Sequence, residues 1–158
     1  MRHRLVVVAP GTVAAVWHAG GWLFDRVMAG WEATVLVADG LDARPLRILG
    51  ARTSDLESAL ASPLGAPAPQ AMAVEAGLYG SDVRVRRIVR EALDEGTTEV
   101  RIWGDTRPAD LDCGGAAMQH RLSVAARAFK AQALAAASAP ADMMGGTETF
   151  RPVPIPIA

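Results

Sequence analysis

A chain of 158 residues, 51% hydrophobic and 21% charged, is long enough to bury a core of its own and too apolar to stay disordered. A formal net charge of -1 excludes the broad positive field of non-specific nucleic-acid binders and membrane-surface proteins, leaving at most a local basic patch. The one cysteine, Cys113, cannot form an internal disulfide, and with His3, His18 and His120 at these spacings it does not make a zinc site, so no metal or cofactor is expected.

Taken in order, Leu5 to Ala9 is a short apolar run stopped by Pro10-Gly11, the pattern of a strand buried on both faces. The charged Met1 to Arg4 before it resembles the start of a signal peptide. His18, Asp25 and Arg26 follow too soon for a signal core or a membrane span, so a cytoplasmic location is expected. Thr12 caps a predicted helix whose stripe runs through Val13, Val16, Trp17, Gly20, Leu23, Phe24 and Val27, with Gly20 letting it approach the sheet and Gly30 stopping it. Ala33 to Ala38 is the second strand, parallel to the first by its crossover length.

Leu46 to Leu49 reads as a third strand, entered through Pro45 and either parallel or in a hairpin about Gly40 to Ala43. Ser54 and Glu57 then start a short helix. The prolines of Ser62 to Pro69 mark a loop, and Gln70 to Ala76 reads as a helical turn. Ser81 opens a helix with Val85, Ile88, Val89, Ala92 and Leu93 inward, which Gly96 closes. Glu99 to Trp103 is the fourth strand, and a last helix spans Gly115 to Ala137 with Met118, Leu122, Ala125, Phe129 and Ala133 on one side.

From Ser138 the chain changes character, and the spaced prolines of Phe150 to Ala158 argue against a helix or a central strand. The expectation is a single-domain α/β fold at 1–137, a mainly parallel sheet of about four strands flanked by helices in Rossmann-like or RecA-like layering, with an extended Pro-rich C-terminal tail at 138–158.

In such sheets ligands bind beyond the carboxyl ends of the strands, which here gather Gly11, Thr12, Asp39, Arg52, Asp105 and Arg107. That set suits a nucleotide or a phosphorylated metabolite, although the same residue types cap and turn any α/β chain. There is no Gly-x-Gly-x-x-Gly after the first strand and no P-loop motif. Cys113 sits before a predicted helix start, where a thiol pKa falls, but His120 lies about 10 Å further along a helix, too far to serve as its base.

Trp22 falls off the apolar stripe, Arg86 and Arg90 belong to an arginine-bearing helix face, and Phe150 sits in the tail; each is a candidate contact surface. With no catalytic constellation in view, the sequence favours a non-catalytic interaction or regulatory module. Its partner would be a protein, a second copy of the chain included, rather than nucleic acid or membrane. The alternative is a small-molecule site, binding or enzymatic, at the carboxyl edge of the sheet.

Overall fold

The computed structural model describes residues 3–61, 68–111, 116–142 and 144–154. The first apolar run becomes Arg4–Ala9 (β1), in the interior of a seven-stranded sheet. It pairs in parallel with Glu32–Val37 (β2) on one side and Ala71–Glu75 (β4) on the other. Arg52–Asp55 (β3) lies parallel beyond β2, and Glu99–Trp103 (β5) parallel beyond β4. Thr147–Val153 (β7) runs antiparallel beside β5, and Met118–Arg121 (β6) closes the edge antiparallel to β7, giving the order β3-β2-β1-β4-β5-β7-β6.

Because successive strand residues point to opposite faces, the sheet feeds two cores. On one face Thr12–Met28 (α1), Ala43–Ile48 (α2) and Val124–Ala136 (α6) pack Trp22, Leu23, Leu46 and Leu134 onto Leu5, Val7, Val35 and Val37. On the other, Leu56–Ala61 (α3), Ala76–Ser81 (α4) and Val83–Glu95 (α5) set Leu56, Tyr79, Val85 and Val89 against Val8, Leu36, Met72 and Ile102. The layered α/β domain is therefore as expected, but with a mixed and wider sheet.

Four elements differ from expectation, each for a physical reason. Leu46 to Ile48 lies in helix α2 and Leu49 caps its end: the Asp42 carboxylate accepts from Arg44 N–H at 3.2 Å, and Pro45 sits in the first turn, where no backbone donor is needed. The strand expected there is Arg52–Asp55, so β2 and β3 are joined by a helical crossover and not a hairpin. Gln70 to Ala76 is strand β4, because burial on both faces outweighs the weak strand preference of Ala and Met.

The single helix expected from Gly115 divides into β6 and α6, with the Ser123 hydroxyl accepting from Ala126 N–H at 3.0 Å as the cap. The tail also gives way: residues 147–153 are an inner strand between β5 and β6, with Pro152 near its end, opposite Arg101. Residues 62–67 of the expected loop, Cys113 and residues 155–158 lie outside the described residues.

The close approach expected at Gly20 is made sideways and not to the sheet. A Cβ at Gly20 would stand 3.2 Å from Leu49 Cδ1, and one at Gly21 only 2.3 Å from Leu122 Cγ. The glycine pair thus lets α1 lie against α2 and the lead-in to α6. No helix among the described residues is long and apolar enough to cross a membrane.

Candidate functional site

Antiparallel pairing of β7 brings residues 147–151 beside the carboxyl end of β5, while α1 passes over both. Between them lies a cleft of about 460 Å³, with Trp17 and His18 of α1 on one wall, Trp103 and Asp105 on another, and Thr149 and Arg151 on a third. Its base carries Lys130 of α6 and Glu148 of β7.

That base is an ion pair taken almost wholly out of water, with side chains 3% and 1% exposed and Nζ 2.8 Å from Glu148 Oε2. Such a pair survives burial only if its remaining hydrogen-bonding capacity is met. Here it is met by α1: Gly21 N–H and Trp22 N–H each donate to the Glu148 carboxylate at 2.7 Å, and Lys130 Nζ donates to the Trp17 carbonyl at 2.7 Å. Burial pushes the Glu148 carboxyl above its ordinary value, against the pull of Lys130 and the two amides.

At the exposed mouth, the His18 ring stacks on Trp103 at 6.1 Å between centroids. Partial loss of water and then the Lys130 charge hold the His18 imidazole below its ordinary value of 6.5, outweighing Glu75 and Asp105. A neutral, proton-accepting imidazole in a cleft is thus available at neutral pH. Among the described residues the buried Trp103 indole N–H has no hydrogen-bond partner, a donor left uncommitted at a residue that lines the cleft.

The residues nominated from sequence are not gathered in one place. Gly11, Thr12 and Asp39 line a second hollow of about 410 Å³. Its polar groups are engaged among themselves: Asp42 N–H donates to the Thr12 hydroxyl at 2.9 Å, and Gly40 N–H to Asp39 at 2.8 Å. Arg52 begins β3, so it lies at the opposite, amino edge of the sheet beside Trp31 and Gly50. Arg107 is exposed, and of the set only Asp105 lines the His18 cleft.

The contact surfaces are corrected more sharply. Trp22 and Phe150 are each 1% exposed and pack together at 5.5 Å, with the Arg101 guanidinium 4.7 Å from the Trp22 ring and 5.3 Å from that of Phe150. Arg86 donates to the Gly80 carbonyl, and Arg90 to Asp110, which also accepts from the Tyr79 hydroxyl. Two of the four proposed anchors are therefore core residues, and the other two are tied to their own chain.

His18, Lys130, Glu148 and Arg151 were missed as a group because α1, α6 and β7 are far apart in sequence. Two signals were legible: Lys130 is the one lysine among arginines, and Thr147 to Phe150 alternates like a strand. Elsewhere Asp25 joins His120 Nε2 at 2.8 Å and the Ser123 hydroxyl at 2.5 Å. The serine meets the carboxylate and not the imidazole, so this is a cap and clasp for α6, not an activated nucleophile. Burial pushes Asp25 up, yet the hydrogen bonds from Ser123 and His120 hold it below its ordinary value.

No family model matches this sequence, and no curated protein is significantly similar to it. Solved structures do share its architecture. The A40926 pseudoaglycone deacetylase Dbv21 is 18% identical over 100% of both chains, with a TM-score of 0.62. The 4-carboxy-2-hydroxymuconate hydratase GalB of Pseudomonas putida is 12% identical over 99% of this chain and 98% of its own, at 0.60. The N,N'-diacetylchitobiose deacetylase of Pyrococcus horikoshii is 11% identical over 96% and 84%, also at 0.60. The expectation of a non-catalytic interaction module is accordingly set aside: Trp22 and Phe150 are internal, and these similar chains are enzymes. At such identities the likeness is one of fold, and it is with these folds that the chain belongs.

Proposed function

We propose that this chain is an enzyme acting on a small polar molecule in the His18–Trp103 cleft, and that its reaction is hydrolysis of an acyl amide. The observation that carries the reading is the His18 imidazole, held neutral and stacked on Trp103 at the mouth of a cleft walled by Asp105, Thr149 and Arg151. Two of the three similar structures described above are deacetylases, which supports an N-acetylated sugar as the first substrate class to test.

In this reading Trp17 offers a flat apolar face to a sugar ring, while Asp105 and Thr149 meet its hydroxyls. His18 accepts a proton from water as the water oxygen adds to the acyl carbon. The imidazolium then returns that proton to the amide nitrogen as the C–N bond breaks, giving a carboxylic acid and an amine. Arg151 offers positive charge to the oxyanion that forms between the two steps. Among the described residues no group of three His, Cys, Asp or Glu side chains could hold a metal ion.

The test is acetate release from a panel of N-acetylated amino sugars, followed by proton NMR. Release by the unaltered protein and a loss of about 100-fold or more in His18→Asn is expected, the contribution typical of a general base. No release from any member, or release unaffected by His18→Asn, overturns the proposal.

A further inference from the structure

We infer that Lys130 is a positioning residue for His18: its buried ammonium fixes the Trp17–His18 turn of α1 through the Trp17 carbonyl and adds a positive charge to the lining of the cleft that holds the imidazole. The inference rests on the reading of His18 as the proton acceptor of the cleft.

The geometry is a relay that spans one rung of α1. In a regular helix the N–H of Gly21 belongs with the C=O of Trp17 four residues earlier. Here Gly21 N–H donates to Glu148 Oε2 at 2.7 Å, Lys130 Nζ donates to the same oxygen at 2.8 Å, and Nζ donates again to the Trp17 carbonyl at 2.7 Å. Two side chains from α6 and β7 thereby hold both ends of the rung next to His18. The lysine stem reaches that point past Gly20, whose ideal Cβ position lies 3.8 Å from Lys130 Cγ.

A residue needed only to fill this space need not carry charge, since a buried ion pair seldom adds net stability over an apolar pair of the same size. Keeping a buried ammonium beside a cleft that holds an imidazole is explained if the charge itself acts. The other charged groups about His18 are Glu75 at the end of β4, Asp105 after β5, and Glu148 and Arg151 of β7. Loss of water is the larger force against protonating the ring and the Lys130 charge adds to it, while Glu75, whose carboxylate accepts from Gly77 and Leu78 N–H, and Asp105 favour protonation.

The experiment is a pH titration without substrate, read on the three histidine rings by carbon–proton NMR. The double substitution Lys130→Met with Glu148→Gln removes both charges together, so no ion is left buried alone. It should move the His18 midpoint upward. In the unaltered protein the side-chain carbon signals of Lys130, the one lysine in the chain, should inflect at the His18 midpoint, because coupled charges report each other's titration.

An unmoved His18 midpoint in the folded double variant overturns the inference, as does a Lys130 signal that ignores His18 in the unaltered protein. The second measurement decides the matter should the double variant not fold. A shifted midpoint without acetate release instead sinks the hydrolytic reading and leaves this one standing.

Discussion

Replacing Glu148 with Ala removes the carboxylate that receives Gly21 N–H, Trp22 N–H and Lys130 Nζ, leaving an ammonium on a side chain 3% exposed with the Trp17 carbonyl as its remaining acceptor. Breaking a buried pair by removing one partner costs about 3–5 kcal/mol, against a total of about 5–15 kcal/mol for a typical domain. At about 2–4 °C per kcal/mol for a chain of this size, the melting temperature should fall by roughly 6–20 °C. Urea unfolding gives the free energy directly, and a cycle with Lys130→Met isolates the coupling. The double variant Lys130→Met with Glu148→Ala should lose less than the two single losses added, since neither ion is then left alone. A loss below about 1 kcal/mol for Glu148→Ala, or strict additivity in the cycle, would refute the account of these residues as one buried unit.

The remaining predictions bear on other parts of the molecule. Gly21→Ala places a Cβ within 2.8 Å of three Leu122 atoms, so it should destabilise by about 1–2 kcal/mol despite the better helix propensity of Ala, whereas Gly20→Ala, at 3.2 Å from a flexible methyl, should be far milder; paired urea curves compare them. Asp25 has a depressed carboxyl, so its contribution to stability is present above its ordinary value of 3.8 and is lost as pH falls through its lower folded value; Asp25→Asn should differ from the unaltered protein at neutral pH and converge with it in acid. His18 is depressed too, so turnover should hold above 6.5 and fall on the acid side as the ring protonates in the folded state, a limb read from the pH profile of kcat/KM. Gly96 ends α5 at φ 74°, and Gly96→Ala should cost about 1 kcal/mol in the same unfolding assay.

What the sequence disclosed follows from how local each signal is. β1, β2, β5, α1 and α5 are each marked by a run, a stripe or a terminating glycine within their own residues, and their types were legible there. α2 and β4 were misread because the short apolar runs at Leu46 to Leu49 and Ala71 to Glu75 suit either structure, and packing against neighbours decided between them. β7 was hidden by its prolines: Pro152 near the end of the strand does not prevent residues 147–151 from lying inside the sheet, where Phe150 closes one core and Val153 the other.

The site was less legible still. Asp105 could be placed at a carboxyl edge by counting strands, but the His18 cleft exists because β7 returns antiparallel beside β5 and α6 threads Lys130 past Gly20 of α1. No local pattern encodes that meeting. Burial of Trp22 was likewise invisible on the helical stripe, since it faces Phe150 and Arg101, both supplied from the far side of the chain.

The most direct test of the site is the indole region of a nitrogen–proton NMR spectrum, where the four tryptophan N–H signals stand apart from the amides. Adding the N-acetylated sugar that releases acetate fastest should shift the Trp103 indole signal and the His18 ring while leaving Trp31, at the opposite edge, in place. Shifts confined to Gly11, Thr12 and Asp39, with Trp103 unmoved, would contradict it.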